Sequence, residues 1–277
     1  LKPLKIVVIG GGAAGFFSAI ICAQTYPHSQ VTLLEAGQTP LAKVRISGGG
    51  RCNVTHACFD PVRLSQNYPR GGKALRGAFT RFQPQDTIAW FESRGVKLKT
   101  EADGRMFPIT DSSETIVDCL TKAAKDAGVI LRTGMVVQSV EKVGEEFEIT
   151  LKSGEKEKRD RVLIATGSNL KGYGWLKNLG HTLQPPVPSL FTFKIKDPRL
   201  QDLAGVSLEN VHLRLQAGKA KLEQTGALLV THWGLSGPGI LKLSAWGARL
   251  LHDYNYNLPL FINWLPEYNR ESLCQVL

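Results

Sequence analysis

Three glycines spaced Gly10-x-Gly12-x-x-Gly15, with the acid Glu35 twenty residues beyond the last of them, are the residues here best suited to hold a ligand. The first glycine permits a tight turn, the second lets backbone approach a pyrophosphate, and the third lets a helix pack close to a strand. A helix starting at that turn aims free amide N–H groups and the positive end of its dipole at an anion. An acid at the end of the next strand suits the ribose hydroxyls of an adenosine and repels a 2′-phosphate. The expected ligand is FAD or NAD rather than NADP, and the pattern alone does not separate those two.

A second candidate is the run Lys43-Val-Arg-Ile-Ser-Gly-Gly-Gly-Arg-Cys-Asn-Val-Thr55. Gly48, Gly49 and Gly50, flanked by Ser47, Arg51 and Asn53, offer backbone amides beside a fixed cation, which suits phosphate or the polar edge of a flavin. The same composition also describes a mobile surface loop. Cys52 and Cys58 lie downstream of the glycine fingerprint, where flavin disulfide reductases carry a redox pair, but five residues separate them and no partner base is identifiable. Packed or solvent-facing thiols are the expectation. His232, ahead of Gly234-Leu-Ser-Gly-Pro238, could approach a substrate or simply satisfy a backbone carbonyl. No catalytic residue and no metal site is assigned.

These residues need elements to position them. Lys5-Ile-Val-Val-Ile9 is a short β-branched run ending in glycine, as a strand buried on both faces reads. Ala13 to Tyr26 suits a helix stopped by Pro27, and 31–35 a second strand, which completes a βαβ unit and predicts a parallel sheet. Residues 41–60 read as irregular. Helices are expected over 84–94, with Trp90 and Phe91 in the core, and over 112–127, with Ser112 or Ser113 as N-cap and Gly128 as terminator. Strands follow at 129–132, 135–140, 147–151 and 162–165. Pro185, Pro186 and Pro188 mark a boundary, beyond which 190–231 reads as short alternating strands. The fold class expected is α/β: a Rossmann-like domain over 1–188, a β-rich domain over 189–265 and the start of a helical segment over 266–277.

The composition excludes several classes. The 277 residues are 43% apolar and 21% charged, which rules out general disorder and leaves ample material for a core. No run reaches the ~18 apolar residues of a membrane span, and Gly10, Gly11, Gly12 and Gly15 break the one stretch that resembles a signal peptide. Five scattered cysteines without a C-x-x-C pair point to a reducing cytoplasm. Lys and Arg total 34 against 24 Asp and Glu, a net charge of +10. Read as spread along the chain, with no arginine-rich arm or RNP motif, these cations predict an anion-attracting surface rather than a nucleic-acid partner.

Five runs, Ser47-Gly-Gly-Gly-Arg-Cys-Asn53, Gly104-Arg-Met-Phe-Pro108, Val162-Leu-Ile-Ala-Thr-Gly167, Leu179-Gly-His181 and Leu229-Val-Thr-His-Trp-Gly-Leu-Ser-Gly-Pro238, together resemble the YhiN-like flavoproteins, NAD(P)/FAD-dependent oxidoreductases. The resemblance implies FAD in a two-dinucleotide-binding-type domain with β-barrel-like and helical insertions. It places Gly10, Gly12, Ala13, Ala14, Gly15 and Glu35 at the ADP half and Lys43 with Ser47, Gly48, Gly49, Gly50, Arg51, Cys52 and Asn53 along the cofactor's path. Ala165, Thr166 and Gly167 resemble the strand-end turn beside FAD, and Val136 and Val137 would lie near the adenine. Two departures stand out. Ser168-Asn-Leu-Lys-Gly172 replaces the family's usual sequence with its Tyr-Pro pair, and the family's closing C-terminal segment is not found, so an incomplete flavin site is expected. The function read here is a FAD-dependent oxidoreductase acting on a small molecule, its flavin reduced by NAD(P)H. The alternative is a flavin- or nucleotide-binding protein without turnover, associated with RNA.

Overall fold

Four consecutive apolar residues of β1 (Lys5–Ile9) are buried, the pattern of a strand covered on both faces. The structure, a computed structural model, describes residues 2–276. β1 leads through the glycine turn into α1 (Ala13–Thr25) and on to β2 (Gln30–Leu34), α2 (Ala42–Gly50) and the short β3 (Thr55–His56). Three helices follow, α3 (Pro61–Gln66), α4 (Gly72–Phe79) and α5 (Pro84–Glu92), then β4 (Leu98–Thr100), β5 (Arg105–Pro108), α6 (Ser113–Asp126) and β6 (Ile130–Arg132). β7 (Val137–Val143), β8 (Glu146–Leu151) and β9 (Lys156–Arg159) form an antiparallel sheet before β10 (Arg161–Ile164) and α7 (Leu170–Asn178).

The parallel sheet runs in the order β10-β1-β2-β6. Ile6 and Val8 face one side, in a core with Phe16 and Ile20 of α1 and Ile116 and Leu120 of α6. Val7 and Ile9 face the other, against Val140, Ile149, Leu151 and Trp175. The Trp175 indole N–H is satisfied by the Gln138 carbonyl at 3.0 Å. Layers on both faces hold the strands rigidly, and the C-terminal ends of β10, β1 and β2 converge on one edge, where open parallel sheets bind ligands.

The chain divides into two compact units, Leu1–Leu183 and Gln184–Leu277. The second contains β11 (Phe193–Lys194), β12 (Ser207–Ala217), β13 (Ala220–Thr231), β14 (Gly234–Ser236), α8 (Pro238–Trp246), α9 (Ala248–Asp253), β15 (Leu260–Asn263) and α10 (Arg270–Val276). Its strands pair antiparallel in the order β11-β14-β13-β12-β15. Ile240 and Leu243 of α8 share a core with Leu213 and Leu228.

The mixed α/β architecture with a parallel sheet and a β-rich second part is the one expected, and so is α6, where the Ser112 hydroxyl accepts from the Glu114 amide at 3.3 Å and Gly128 adopts φ +75°. Three readings need correction. Residues 42–46 are helical, and α2 is broken only at Ser47 to Gly49, where ψ of Ser47 is 149° and the two glycines are left-handed. The glycine run disguised one good turn. The stretch 190–231 is dominated by two long strands of 11 and 12 residues rather than several short ones. The helix placed from Pro266 begins at Arg270. α3 and α4 are short helices that lie between glycines and prolines. No helix among the described residues is long and apolar enough to cross a membrane.

Candidate functional site

The fingerprint glycines do three different things. Gly10 has φ +115°, and a Cβ there would stand 2.5 Å from the Ala165 carbonyl oxygen. A Cβ on Gly15 would stand 1.8 Å from the Gly10 oxygen, so helix and turn pack with no room for a methyl group. Around Gly12 a Cβ would meet nothing within 4 Å. That open side faces the cavity. The first intrahelical bond of α1 runs from the Phe16 amide to the Gly12 carbonyl at 3.0 Å, leaving the amides of Ala13 and Ala14 without helical acceptors. No acid in the first turn competes for them.

Glu35 follows β2 and is anchored by backbone. Its Oε2 accepts from the Gly11 amide at 2.6 Å and its Oε1 from the Gly37 amide at 2.7 Å. A Cβ on Gly11 would come within 2.9 Å of the Glu35 side chain, so this glycine, one the fingerprint leaves free, is set by the carboxylate. Each oxygen retains acceptor capacity toward the cavity that Glu35 lines.

That cavity measures about 930 Å³ and lies wholly within the first unit. Of the residues expected at the cofactor, Gly10, Gly12, Ala13, Ala14, Glu35, Lys43, Ser47, Cys52, Asn53, Ala165, Thr166 and Gly167 line it. The Lys43 ammonium lies 3.3 Å from the Ser168 hydroxyl, which brings α2 to the turn after β10. Within that turn Asn169 caps α7, its side chain accepting from the Lys171 amide at 3.0 Å. The departure from the usual family sequence is thus a helix cap on the cavity wall.

The structure does not bring the remaining candidates to the lining. Gly15 is consumed by packing. Gly48, Gly49 and Gly50 form a left-handed turn at φ +57°, +69° and +84°. Arg51 pairs with Glu101 at 2.5 Å and Asp111 at 3.5 Å and lies 4.1 Å above the Phe107 ring. The hydrogen bond it donates to Glu101 holds its pKa above the ordinary arginine value, and its charge is directed to the β3-β5-β4 sheet. Val137 is 4% exposed in the core with Ile9 and Leu34, and Val136 is half-buried with its carbonyl bonded to the Lys152 amide.

Cys52 is buried, has φ +60°, and its amide donates to the Ser47 carbonyl at 2.9 Å. Burial pushes its thiol above the ordinary range, outweighing the Ser47 hydrogen bond, which acts the other way. All five cysteines are free thiols. His232 lies in the second unit, exposed, beside Trp233 on an open groove. Among the described residues no cluster of three or more His, Cys, Asp or Glu could hold a metal.

Sequence reasoning missed the apolar part of the cavity lining, Phe17, Phe82, Phe91, Ile116 and Leu120. The Phe17 ring lies 5.0 Å from Trp90 in a tilted contact and 5.3 Å from Phe82 in an edge-on one. Helical spacing marks such residues as core, and nothing in it distinguishes a core face from a cavity wall.

Residues 4–229 match the family model described as HI0933-like protein Rossmann domain, and residues 187–277 the one described as HI0933-like protein barrel and H2TH domain. The chain belongs to the HI0933-like family. This agrees with the YhiN-like resemblance carried by the five motif runs. A family relative, the 3-dehydro-bile acid delta(4,6)-reductase of Clostridium scindens, is 28% identical over 271 residues, 95% of this chain and 65% of the relative. The ribosomal RNA dihydrouridine synthase of Escherichia coli is 32% identical over 258 residues, 89% of this chain and 62% of the relative. The chain therefore spans just under two thirds of the length of these curated relatives. The solved structure of Thermovibrio ammonificans THI4 aligns with a TM-score of 0.44 at 12% identity, over 65% of this chain and 64% of that one.

Proposed function

We propose that this chain carries the FAD site of an oxidoreductase that reduces a carbon–carbon double bond in an organic substrate, with NAD(P)H as reductant. The observation that carries the reading is one cavity whose lining joins the N-terminal turn of α1 and Glu35 to Lys43, Ser47 and a set of apolar and aromatic side chains. Its volume of about 930 Å³ is in the range of sites that enclose a large cofactor. The residues present fit the ADP half. Gly12 leaves open space on the ligand side, Ala13 and Ala14 supply uncommitted amides, and Glu35 offers acceptor lone pairs for ribose.

When bound, FAD supplies a two-electron hydride carrier. The chain's own part is binding and electrostatics. The α1 dipole and the Lys43 ammonium favour negative charge at the phosphates and at the cofactor's polar edge. Phe17, Phe91, Ile116 and Leu120 exclude water from the part of the cavity they line, which strengthens polar interactions beside them.

The names of the two curated relatives support reductive chemistry, one being a delta(4,6)-reductase and the other a dihydrouridine synthase. A small apolar molecule is the substrate class we favour, because Phe17, Phe82, Phe91, Ile116 and Leu120 give the cavity lining a large apolar and aromatic share. We further propose the organisation read from the sequence, a FAD-binding domain over 1–188, a β-rich insertion over 189–265 and a helical segment starting in 266–277, in a protein of the reducing cytoplasm. The visible absorption spectrum of the purified protein tests the cofactor assignment. A flavin-type spectrum, bleached on addition of NADH or NADPH, is expected; a colourless protein that takes up no added FAD would overturn it.

A further inference from the structure

The cations are not as evenly spread as the composition suggested. The 25 residues between Asp60 and Asp86 carry Arg63, Arg70, Lys73, Arg76 and Arg81 and no acid, which is +5 of the net +10. They include the α3–α4 hairpin, whose helices are closely joined, since a Cβ on Gly72 would stand 2.2 Å from the Ser65 carbonyl oxygen. Both bounding acids are engaged at helix N-termini. Asp60 accepts from the amides of Val62 and Arg63 at 2.7 and 2.9 Å, and Asp86 from the Gln83 amide at 2.8 Å. Lys73, Arg76 and Arg81 are exposed and make no ion pair among the described residues. Arg76 reaches back across the hairpin, its Nε donating to the Ser65 hydroxyl at 3.4 Å.

These charges alternate with aromatic rings. On α4, Lys73 lies one turn before Arg76 and Arg76 one turn before Phe79, and Arg81 directly precedes Phe82. Phe79 and Phe82, with Tyr68, line a second cavity of about 380 Å³, to which Asn53, His56 and Gln83 add polar edges. The rings of Tyr68 and Phe79 lie 5.6 Å apart, and Tyr68 and Phe82 are 43% and 42% exposed. Asn53, Val54, Phe82 and Thr87 belong to both cavities, so the aromatic pocket adjoins the one assigned to the flavin.

We propose that the α3–α4 hairpin is the docking site of the reductant and selects NADPH over NADH, with adenine against Tyr68, Phe79 and Phe82 and the 2′-phosphate on Lys73, Arg76 and Arg81. Aromatic faces take a planar base, and guanidinium groups with no carboxylate partner take a phosphate through paired N–H donors. NADH carries no 2′-phosphate and would leave the three cations without a counter-charge. The chain thereby sorts its two dinucleotides. Glu35 repels a 2′-phosphate at the α1 turn, where FAD has none, and the hairpin attracts one. Asn53, Val54, Phe82 and Thr87, common to both cavities, lead from the docked adenosine towards the flavin, and the apolar lining of the larger cavity is left to the organic substrate. This assignment rests on the reading of a nicotinamide reductant, and it is tested by binding, which needs no turnover.

Isothermal titration of the full chain with NADP+ and with NAD+, in the presence and absence of saturating FAD, measures the selection. NADP+ is expected to bind at least about tenfold more tightly than NAD+, the worth of one or more charge-assisted hydrogen bonds. Combining Lys73→Gln, Arg76→Gln and Arg81→Gln is expected to erase that preference by lowering NADP+ affinity, while retained NAD+ binding shows that the site is still folded. Tyr68→Leu is expected to weaken both ligands by about tenfold and to leave their ratio unchanged, because it removes only the stacking face. Lys219→Gln with Lys221→Gln, in exposed residues of the second unit, is expected to bind as the parent does. Equal affinity for NADP+ and NAD+, a parent-like preference in the triple variant, or loss of NADP+ binding on saturation with FAD would each overturn the assignment. So would displacement of NADP+ by inorganic tripolyphosphate as readily as by adenosine 2′,5′-bisphosphate, which would make the hairpin a general anion surface. Flavin absorbance in the same samples reports on the cofactor separately: a chain that takes up no FAD yet prefers NADP+ through the three cations would sink the flavin reading and leave the hairpin site standing.

Discussion

Replacing Gly12 and Gly15 separately by alanine distinguishes the ligand-facing glycine from the packing glycine. In Gly15→Ala the new methyl carbon would lie 1.8 Å from the Gly10 oxygen, about half of an ordinary contact distance. The obstacle is backbone on both sides, so relief requires α1 to move off β1. Overpacking of this kind costs about 1–3 kcal/mol or more, and the upper end applies because no flexible side chain can yield. At about 2–4 °C per kcal/mol for a unit of this size, the apoprotein should melt roughly 6–12 °C lower. In Gly12→Ala nothing lies within 4 Å of the added carbon, and alanine at an N-cap costs at most about 1 kcal/mol relative to glycine. Apoprotein stability should barely change, yet the methyl occupies the approach of the pyrophosphate, so FAD affinity should fall at least about tenfold, or about 1.4 kcal/mol. Circular-dichroism melts without cofactor and quenching of flavin fluorescence on titration measure the two quantities. Parent-like FAD affinity in Gly12→Ala would refute the placement of the pyrophosphate, and a parent-like melt in Gly15→Ala would refute the packing account.

Glu35→Ala should weaken FAD binding and also lower the apoprotein melting temperature by several degrees, because the amides of Gly11 and Gly37 lose a charged acceptor that contributes about 1.5–3 kcal/mol. A change in only one of these readouts would remove the other role from Glu35. Cys52→Ser and Cys58→Ser should each retain reduction of the flavin by nicotinamide, measured as bleaching of its absorbance. The raised thiol of Cys52 makes its stability contribution complete below the unfolded value of about 8.5 and lost as pH rises through the folded value, so Cys52→Ser should flatten the alkaline fall in stability. Glu157 has a side chain 10% exposed, and although burial acts to raise its pKa, Arg159 and Arg132 bring it below the ordinary glutamate value. Its contribution is present above about pH 4.3 and lost as pH falls through the folded value. Glu157→Gln should therefore cost about 3 kcal/mol at neutral pH, with the deficit in chemical-denaturation midpoints narrowing in acid.

Much of the first unit is legible in its residues. The β1-glycine-α1-β2 unit and Glu35 declare themselves because each depends on local requirements: a run buried on both faces, a turn without side chains, and an acid at fixed spacing. Ser112 and Gly128 bracket α6 for the same reason. Tertiary structure decided what those residues meet. That Arg51 turns to Glu101 and Phe107 rather than to the cavity depends on β5 and the preceding loop, some fifty residues away in sequence. That Val137 is core while Glu35 faces the cavity depends on the β7–β9 sheet covering one face of the parallel sheet. The division between Gly12, open, and Gly15, closed, is invisible in a motif that treats both as small, because it is set by the distance of one methyl group from a backbone oxygen. The aromatic pocket of the α3–α4 hairpin joins Tyr68 and Phe79 to Asn53 and His56 across a turn of chain, and no periodicity connects them. Backbone geometry and local caps can be read along the chain, but a cavity is a relation between surfaces brought together by packing, so its walls become defined only when the chain is folded.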